Sequence, residues 1–193
     1  LFTENYAKKF AQGLISTEED SEKITLLILD EIIKMEEYSR FYDDEVTADA
    51  LDRLFAEAKR LSKALYYQLK NTEFKVLDAE AEFGINKKYP PIALKTSSGE
   101  VFVRGKIDRV DKADKYFRII DYKTGSASVV DDEFFMGKKI QVYLYLNAFI
   151  NEDNIPAGSY YFKISDDYHS KKDETAQLVG KTLQSNEVVL KPD

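Results

Sequence analysis

Residues 105–125 read Gly-Lys-Ile-Asp-Arg-Val-Asp-Lys-Ala-Asp-Lys-Tyr-Phe-Arg-Ile-Ile-Asp-Tyr-Lys-Thr-Gly. A strand reading over 101–111 and another over 116–123 flank the polar turn Lys112-Ala113-Asp114-Lys115, which predicts an antiparallel pair. A turn centred between Asp114 and Lys115 places Asp108 opposite Asp121, with Cβ atoms about 4.5–5.5 Å apart. Lys123 lies two residues beyond Asp121, so the two share a face of the strand. Two carboxylates that close repel unless a cation sits between them or one is protonated. A hard divalent ion with oxygen ligands relieves the repulsion. An adjacent lysine can hold or deprotonate a water, or stabilise charge on a reacting phosphate. Taken singly, each residue reads better as part of a solvated, ion-paired strand. Taken together, at a strand end marked by Thr124-Gly125, they read as a site.

Outward from this stretch, the order of elements is helical first and sheet-like afterwards. Leu77, Ala79, Ala81 and Phe83 alternate with Asp78, Glu80 and Glu82, the period of a strand. Residues 92–95 and 101–111 flank a Ser98-Gly99 turn and predict a hairpin. Residues 125–132 read as loop and 138–150 as a helix, with Ile140, Tyr143, Leu144, Leu146 and Phe149 available for burial. Pro156-Ala157-Gly158 leads into a strand over 159–164, and 188–190 allow a short one more. Upstream, Ser16 with Glu19 fits a capping box for a helix with Ile24, Leu27, Ile28, Ile32 and Met35 on one stripe, widened by Leu26, Leu29 and Ile33. A loop is expected over 38–45. Thr47 can cap a second helix whose face is Leu51, Leu54, Phe55, Ala58, Leu61, Leu65 and Leu69, ending at Asn71-Thr72. The expected organisation is a single domain: a helical part over 1–72, a core sheet and helix over 73–166, and a tail over 167–193.

Composition narrows the chemistry. The 193 residues are 44% hydrophobic and 13% aromatic, enough for a packed core. No stretch approaches the roughly 20 apolar residues of a membrane helix, so no membrane partner and a cytoplasmic location are expected. There is no Cys and one His, His169. Disulfides, zinc–cysteine sites, iron–sulfur clusters and multi-histidine metal sites are excluded for this chain. Carboxylates, lysines and an oxygen-loving metal are left to carry any hydrolysis. Net charge is −7, with 11 basic against 16 acidic residues over 1–75 and 17 against 19 over 76–193. Such a balance argues against coating nucleic acid by charge alone, but not against acidic groups gathered around a cation.

Gly105-x-Ile-Asp108-Arg-Val-Asp111, then Ile120-Asp121-Tyr122-Lys123-Thr-Gly125, then Gln141-x-x-x-Tyr145, preceded by Glu80-Ala-Glu82-Phe83-Gly84, resembles the RecB-type branch of the PD-(D/E)XK nuclease superfamily. Within it the chain is most similar to the C-terminal nuclease domain of the AddB (RexB) family, components of bacterial AddAB helicase–nucleases. The resemblance covers residues 46–165 well and the ends loosely. A lone Asp-Tyr-Lys is weak, whereas four motifs in order are specific. The resemblance implies an α/β fold: a PD-(D/E)XK core with a mixed β-sheet flanked by helices and N-terminal helical additions. It implies that Asp108 and Asp121 bind Mg²⁺ (Mn²⁺ as a substitute), that the Tyr122 carbonyl is a further ligand, and that Lys123 is the catalytic lysine. Glu80 corresponds to the family's early glutamate, with Glu82 kept as the alternative. Gln141 and Tyr145, four apart on a helix with Lys138 and Lys139 one turn earlier, are expected to point toward Asp121 and Lys123 and contact substrate, not to enter the core, while Ile140, Leu144 and Phe149 pack on the sheet; the helix pattern alone would favour packing Tyr145 in the core.

The implied activity is hydrolysis of phosphodiester bonds in single-stranded DNA, 5′ to 3′, as an AddA-like helicase subunit unwinds it during double-strand break repair and recombination. The competing class is a non-catalytic module that binds DNA or scaffolds the helicase complex. RecB-type nucleases carry a metal-binding histidine ahead of the first strand, and AddB proteins carry cysteines that hold an iron–sulfur cluster. Neither is present in this chain. With Leu1 in first position instead of Met, the expectation is an excised piece that starts after the histidine helix and stops before the cysteines.

Overall fold

The computed structural model describes residues 1–35, 45–123, 136, 140–163 and 178–182. The described residues form two compact units, Leu1–Thr72 and a second that begins at Glu73. The first holds α1 (Phe2–Ala11), α2 (Glu18–Ile33) and α3 (Glu45–Lys70). The capping box of α2 is one residue later than expected. Thr17 accepts from the Asp20 amide at 3.1 Å, and Asp20 accepts from the Thr17 amide at 3.0 Å. The short Asp20 side chain also reaches the Ser16 amide, so Ser16 and Glu19 are not the cap. The buried stripe of α2 is Ser21, Thr25, Ile28, Leu29 and Ile33, while Leu27 and Met35 are exposed. Ser21 tolerates burial because its hydroxyl meets Tyr6 at 2.6 Å and donates to the Ser62 carbonyl at 3.2 Å. Helix α3 begins at Glu45, so Thr47 lies inside it and is not its cap. Ala58, Leu65 and Leu69 are buried on α3 as its spacing predicts, joined by Ser62, Ala64 and Tyr66, while Leu54 is exposed.

The second unit is a mixed five-stranded sheet in the order β1–β4–β5–β6–β7 and a separate two-stranded sheet, β2–β3. The strands are β1 (Lys75–Phe83), β2 (Ile92–Thr96), β3 (Gly99–Val103), β4 (Gly105–Ala113), β5 (Tyr116–Lys123), β6 (Ile155–Lys163) and β7 (Leu178–Thr182). Pairs β1–β4, β4–β5 and β6–β7 are antiparallel and β5–β6 is parallel. Helix α4 (Gln141–Leu146) and the turn after it pack Ala148 and Phe149 with Ile107, Val110, Phe117 and Ile119 into one core cluster. This is the α/β architecture, mixed sheet and N-terminal helices that the sequence predicts.

Three departures are instructive. The strand expected over 101–111 is two strands, because the chain breaks at Arg104 and changes partner from β2 to β1. Gly105 permits the change: a Cβ there would sit 2.8 Å from the Phe83 ring. Leu77 does not share the buried face of Ala79, Ala81 and Phe83, since the β1–β4 register shifts between Val76 and Asp78 and leaves it exposed. The helix and strand that follow β5 are also offset, with α4 spanning only Gln141–Leu146 and β6 starting at Ile155. The expected loops over 38–45 and 125–132 lie largely outside the described residues, and the strand over 188–190 lies wholly outside them.

Candidate active site

The site is built where the sheet's central ladder opens. The observed β4–β5 register runs from Ala113↔Tyr116 to Arg109↔Ile120, and one further step brings Asp108 across from Asp121. At that step a side chain replaces the main-chain partner. Asp108 Oδ2 accepts the Tyr122 amide at 2.8 Å. On the other side of Asp108, β1 runs in a register that brings Glu80 opposite it. Glu80 adopts φ 56°, the left-handed region that a glutamate seldom visits. The pleat breaks here: Ile107 and Val110, three apart, belong to the same core cluster, although a period of two would put them on opposite faces.

Asp121 is buried, and Asp108, Tyr122 and Lys123 are half-buried. Burial raises the Asp108 carboxyl above its usual range; the Tyr122 amide opposes this, and the charges of Asp121 and Glu80 add to it. Lys123 Nζ lies 2.5 Å from Asp121 Oδ2, and 5.4 Å from the centroid of the Tyr161 ring. Burial works against the lysine's charge, but the contact with Asp121 outweighs it and holds the ammonium above its usual range. Although close to Lys123, Asp121 Oδ2 has no hydrogen bond of proper geometry. Coulomb attraction depends only on distance, whereas a hydrogen bond also needs alignment, so this oxygen keeps a lone-pair direction open.

A hard divalent cation fits this donor set. A buried carboxylate oxygen without an aligned donor and a facing carboxylate whose ionisation its neighbours disfavour are what such an ion relieves. Two carboxylates converge, not three. Among the described residues no three His, Cys, Asp or Glu side chains form a ready cluster. Glu80 is ion-paired with Lys106, and Glu82 is exposed and paired with Lys87 at 2.6 Å. Of the two glutamates it is Glu80 whose charge acts on Asp108.

Gln141 and Tyr145 share a face, with Gln141 Nε2 donating to the Tyr145 hydroxyl at 2.8 Å. The Tyr145 ring meets Phe83 edge-on at 5.5 Å and packs against the core cluster, which corrects the expectation that it stays out of the core. Leu144 and Phe149 join the same packing, whereas Ile140, which the sequence offers for burial, is 42% exposed. Lys138, Lys139, Thr124, Gly125 and His169 lie outside the described residues.

Sequence reasoning missed two features. Tyr161, opposite Asp121 in the parallel β5–β6 register, supplies the ring near Lys123; parallel partners across a crossover leave no local signal. Arg109 and Asp111, which singly read as part of a solvated face, are 1% and 0% exposed, and Arg118 joins them at 3%. Asp111 accepts from Arg109 Nε and Nη2, each at 2.6 Å, and from Arg118 Nε at 3.0 Å. Strict two-residue spacing on paired strands was the available signal.

A family model described as the PD-(D/E)XK nuclease superfamily matches residues 5–189. Similar proteins include several named as a subunit of an ATP-dependent helicase/deoxyribonuclease. The one from Alkaliphilus metalliredigens (strain QYMF) is 28% identical across 98% of this chain and 18% of its own length. That of Clostridioides difficile (strain 630) is 38% identical across 64% of this chain and 12% of its own. That of Caldanaerobacter subterraneus subsp. tengcongensis is 41% identical across 55% and 10%. The chain therefore spans only 10–18% of the length of these relatives.

Proposed function

The chain belongs to the PD-(D/E)XK nuclease superfamily, and on that premise we propose that it is the DNA-cutting domain of a helicase–nuclease subunit. Its substrate is single-stranded DNA, delivered by an AddA-like helicase partner in the cytoplasm during double-strand break repair and cut 5′ to 3′. The observation that carries this reading is the opened ladder, where Asp108, Asp121 and Lys123 meet at a strand end. In it, Asp108, Asp121 and the Tyr122 carbonyl hold Mg²⁺ or Mn²⁺, with Glu80 beside them; when bound, the ion supplies a water of lowered pKa and neutralises phosphate charge.

The chain's own residues then do three things. The Tyr122 amide fixes the Asp108 carboxylate. Asp121 orients Lys123 by charge. Lys123, held beside Asp121, stabilises negative charge on the phosphate oxygens or handles the proton of the attacking water. Gln141 and Tyr145 are proposed as substrate contacts through the edge that Gln141 leaves exposed. The iron–sulfur cluster of the AddB family has no ligands among these residues, since the chain has no Cys.

A second reading, a non-catalytic module that holds DNA or scaffolds the complex, draws on the lack of a three-ligand cluster among the described residues. One experiment separates the two. In the full-length protein with Mg²⁺, Lys123→Ala should slow cleavage of single-stranded DNA by about a hundredfold or more, with DNA binding retained. Cleavage at the wild-type rate would remove Lys123 from the mechanism. A wild-type protein that binds but never cuts would favour the non-catalytic module.

A further inference from the structure

Arg109, Asp111 and Arg118 form a buried charged triad behind the site. Asp111 and Arg118 are directly paired across β4 and β5. By the alternation of β5, Arg118 and Tyr122 project away from the side that carries Asp121, and Arg109 and Asp111 meet them there through side-chain hydrogen bonds. Arg109 grips Asp111 with two hydrogen bonds of 2.6 Å, and Arg118 adds a third of 3.0 Å while lying 4.6 Å from the Phe74 ring centroid. Apolar side chains of similar volume often stabilise a core as well as such a buried ion group does. Stability alone is therefore a weak reason for three charges here.

What the triad touches gives a better one. Arg109 Nη1 donates to the Tyr122 hydroxyl at 3.3 Å. The Tyr122 ring lies 5.3 Å from that of Phe162. The amide of the same residue donates to Asp108 Oδ2 at 2.8 Å. Tyr122 is thus held at both ends, by the triad through its side chain and by Asp108 through its backbone. Asp108 needs such support, because the main-chain ladder has ended one residue earlier, at Arg109↔Ile120.

We infer that Arg109 is a positioning residue: anchored by Asp111 and Arg118, it fixes Tyr122, and through the Tyr122 amide it fixes the Asp108 carboxylate. Only the use to which Asp108 is put rests on the nuclease reading. The clamp itself is a property of the metal-free chain.

The test is amide hydrogen exchange followed by NMR on the metal-free protein, with wild type, Tyr122→Phe and Arg109→Lys compared. Tyr122→Phe keeps the ring beside Phe162 and removes only the hydroxyl; Arg109→Lys keeps the charge and loses the fork. Both should speed exchange of the residue-122 amide by about tenfold, the scale of one net hydrogen bond in a local opening, while amides of the β6–β7 pair are unchanged. Mn²⁺ binding by calorimetry should weaken in both variants. Unchanged exchange at residue 122 in a folded Tyr122→Phe protein overturns the inference. So does acceleration spread evenly over the sheet, which would make the triad a stabiliser and nothing more. Should Arg109→Lys fail to fold, Tyr122→Phe decides alone. If the exchange result holds while the wild-type protein neither binds Mn²⁺ nor cuts DNA, the clamp stands and the nuclease reading falls.

Discussion

Asp108 ionises against its surroundings. Burial, then the charges of Asp121 and Glu80, raise its pKa above the usual 3.8, and the Tyr122 amide and Lys123 recover only part of that. A carboxyl whose pKa is higher folded than unfolded is relatively favourable when protonated, so its contribution is complete below 3.8 and is lost as pH rises through the folded value. Asparagine keeps an acceptor for the Tyr122 amide and never ionises. Asp108→Asn should therefore raise the thermal midpoint of the metal-free protein at pH 7, with the gain vanishing as pH falls below 3.8. A midpoint that drops at pH 7, by the same amount at low pH, would show that the carboxylate is not strained. The facing of Asp108 and Asp121 was legible in the sequence because a hairpin centre and a period of two are local facts. Glu80's left-handed backbone and its pairing with Lys106 were not, since both depend on a strand brought in from elsewhere.

Strand β4 shows what the sequence hides in an element. Its start is set by Gly105, whose missing Cβ leaves room for the Phe83 ring and, at 3.5 Å, for Tyr145. Gly105→Ala should cost roughly 1–3 kcal/mol by overpacking, seen as a lower denaturation midpoint with an unchanged m-value. A neutral result would mean that Phe83 moves freely and that the break at Arg104 has another cause. Within residues 101–111 Gly105 marks that break, while the ring that requires it belongs to β1. The same limit explains Leu77, which a register shift in the β1–β4 pairing turns outward. It also explains the buried triad. Arg109 and Asp111 look solvated in one dimension; their two-residue spacing lets them pair along β4, and only the register with β5 brings Arg118 to the same carboxylate. Cutting that pairing should be severe. Asp111→Ala leaves two guanidinium groups in the core and should destabilise the fold by about 3–5 kcal/mol, a loss readable by chemical denaturation.

The chain as a whole is acidic, with a net charge of −7, and its most consequential negative charges are those that β1, β4 and β5 bring together. Such an assembly is stabilised by a ligand that neutralises it, and any ligand that binds only the folded state raises the unfolding free energy, by about 2.7 kcal/mol at a hundred times its dissociation constant. The nuclease reading of the site depends on Asp108 and Asp121 holding a divalent cation between them. A Mn²⁺ titration of the thermal midpoint decides this, with wild type, Asp108→Asn and Asp121→Asn measured side by side. A shared site gives a rise that saturates in the wild type and is absent from both variants. Midpoints that respond to Mn²⁺ identically in all three proteins would refute it.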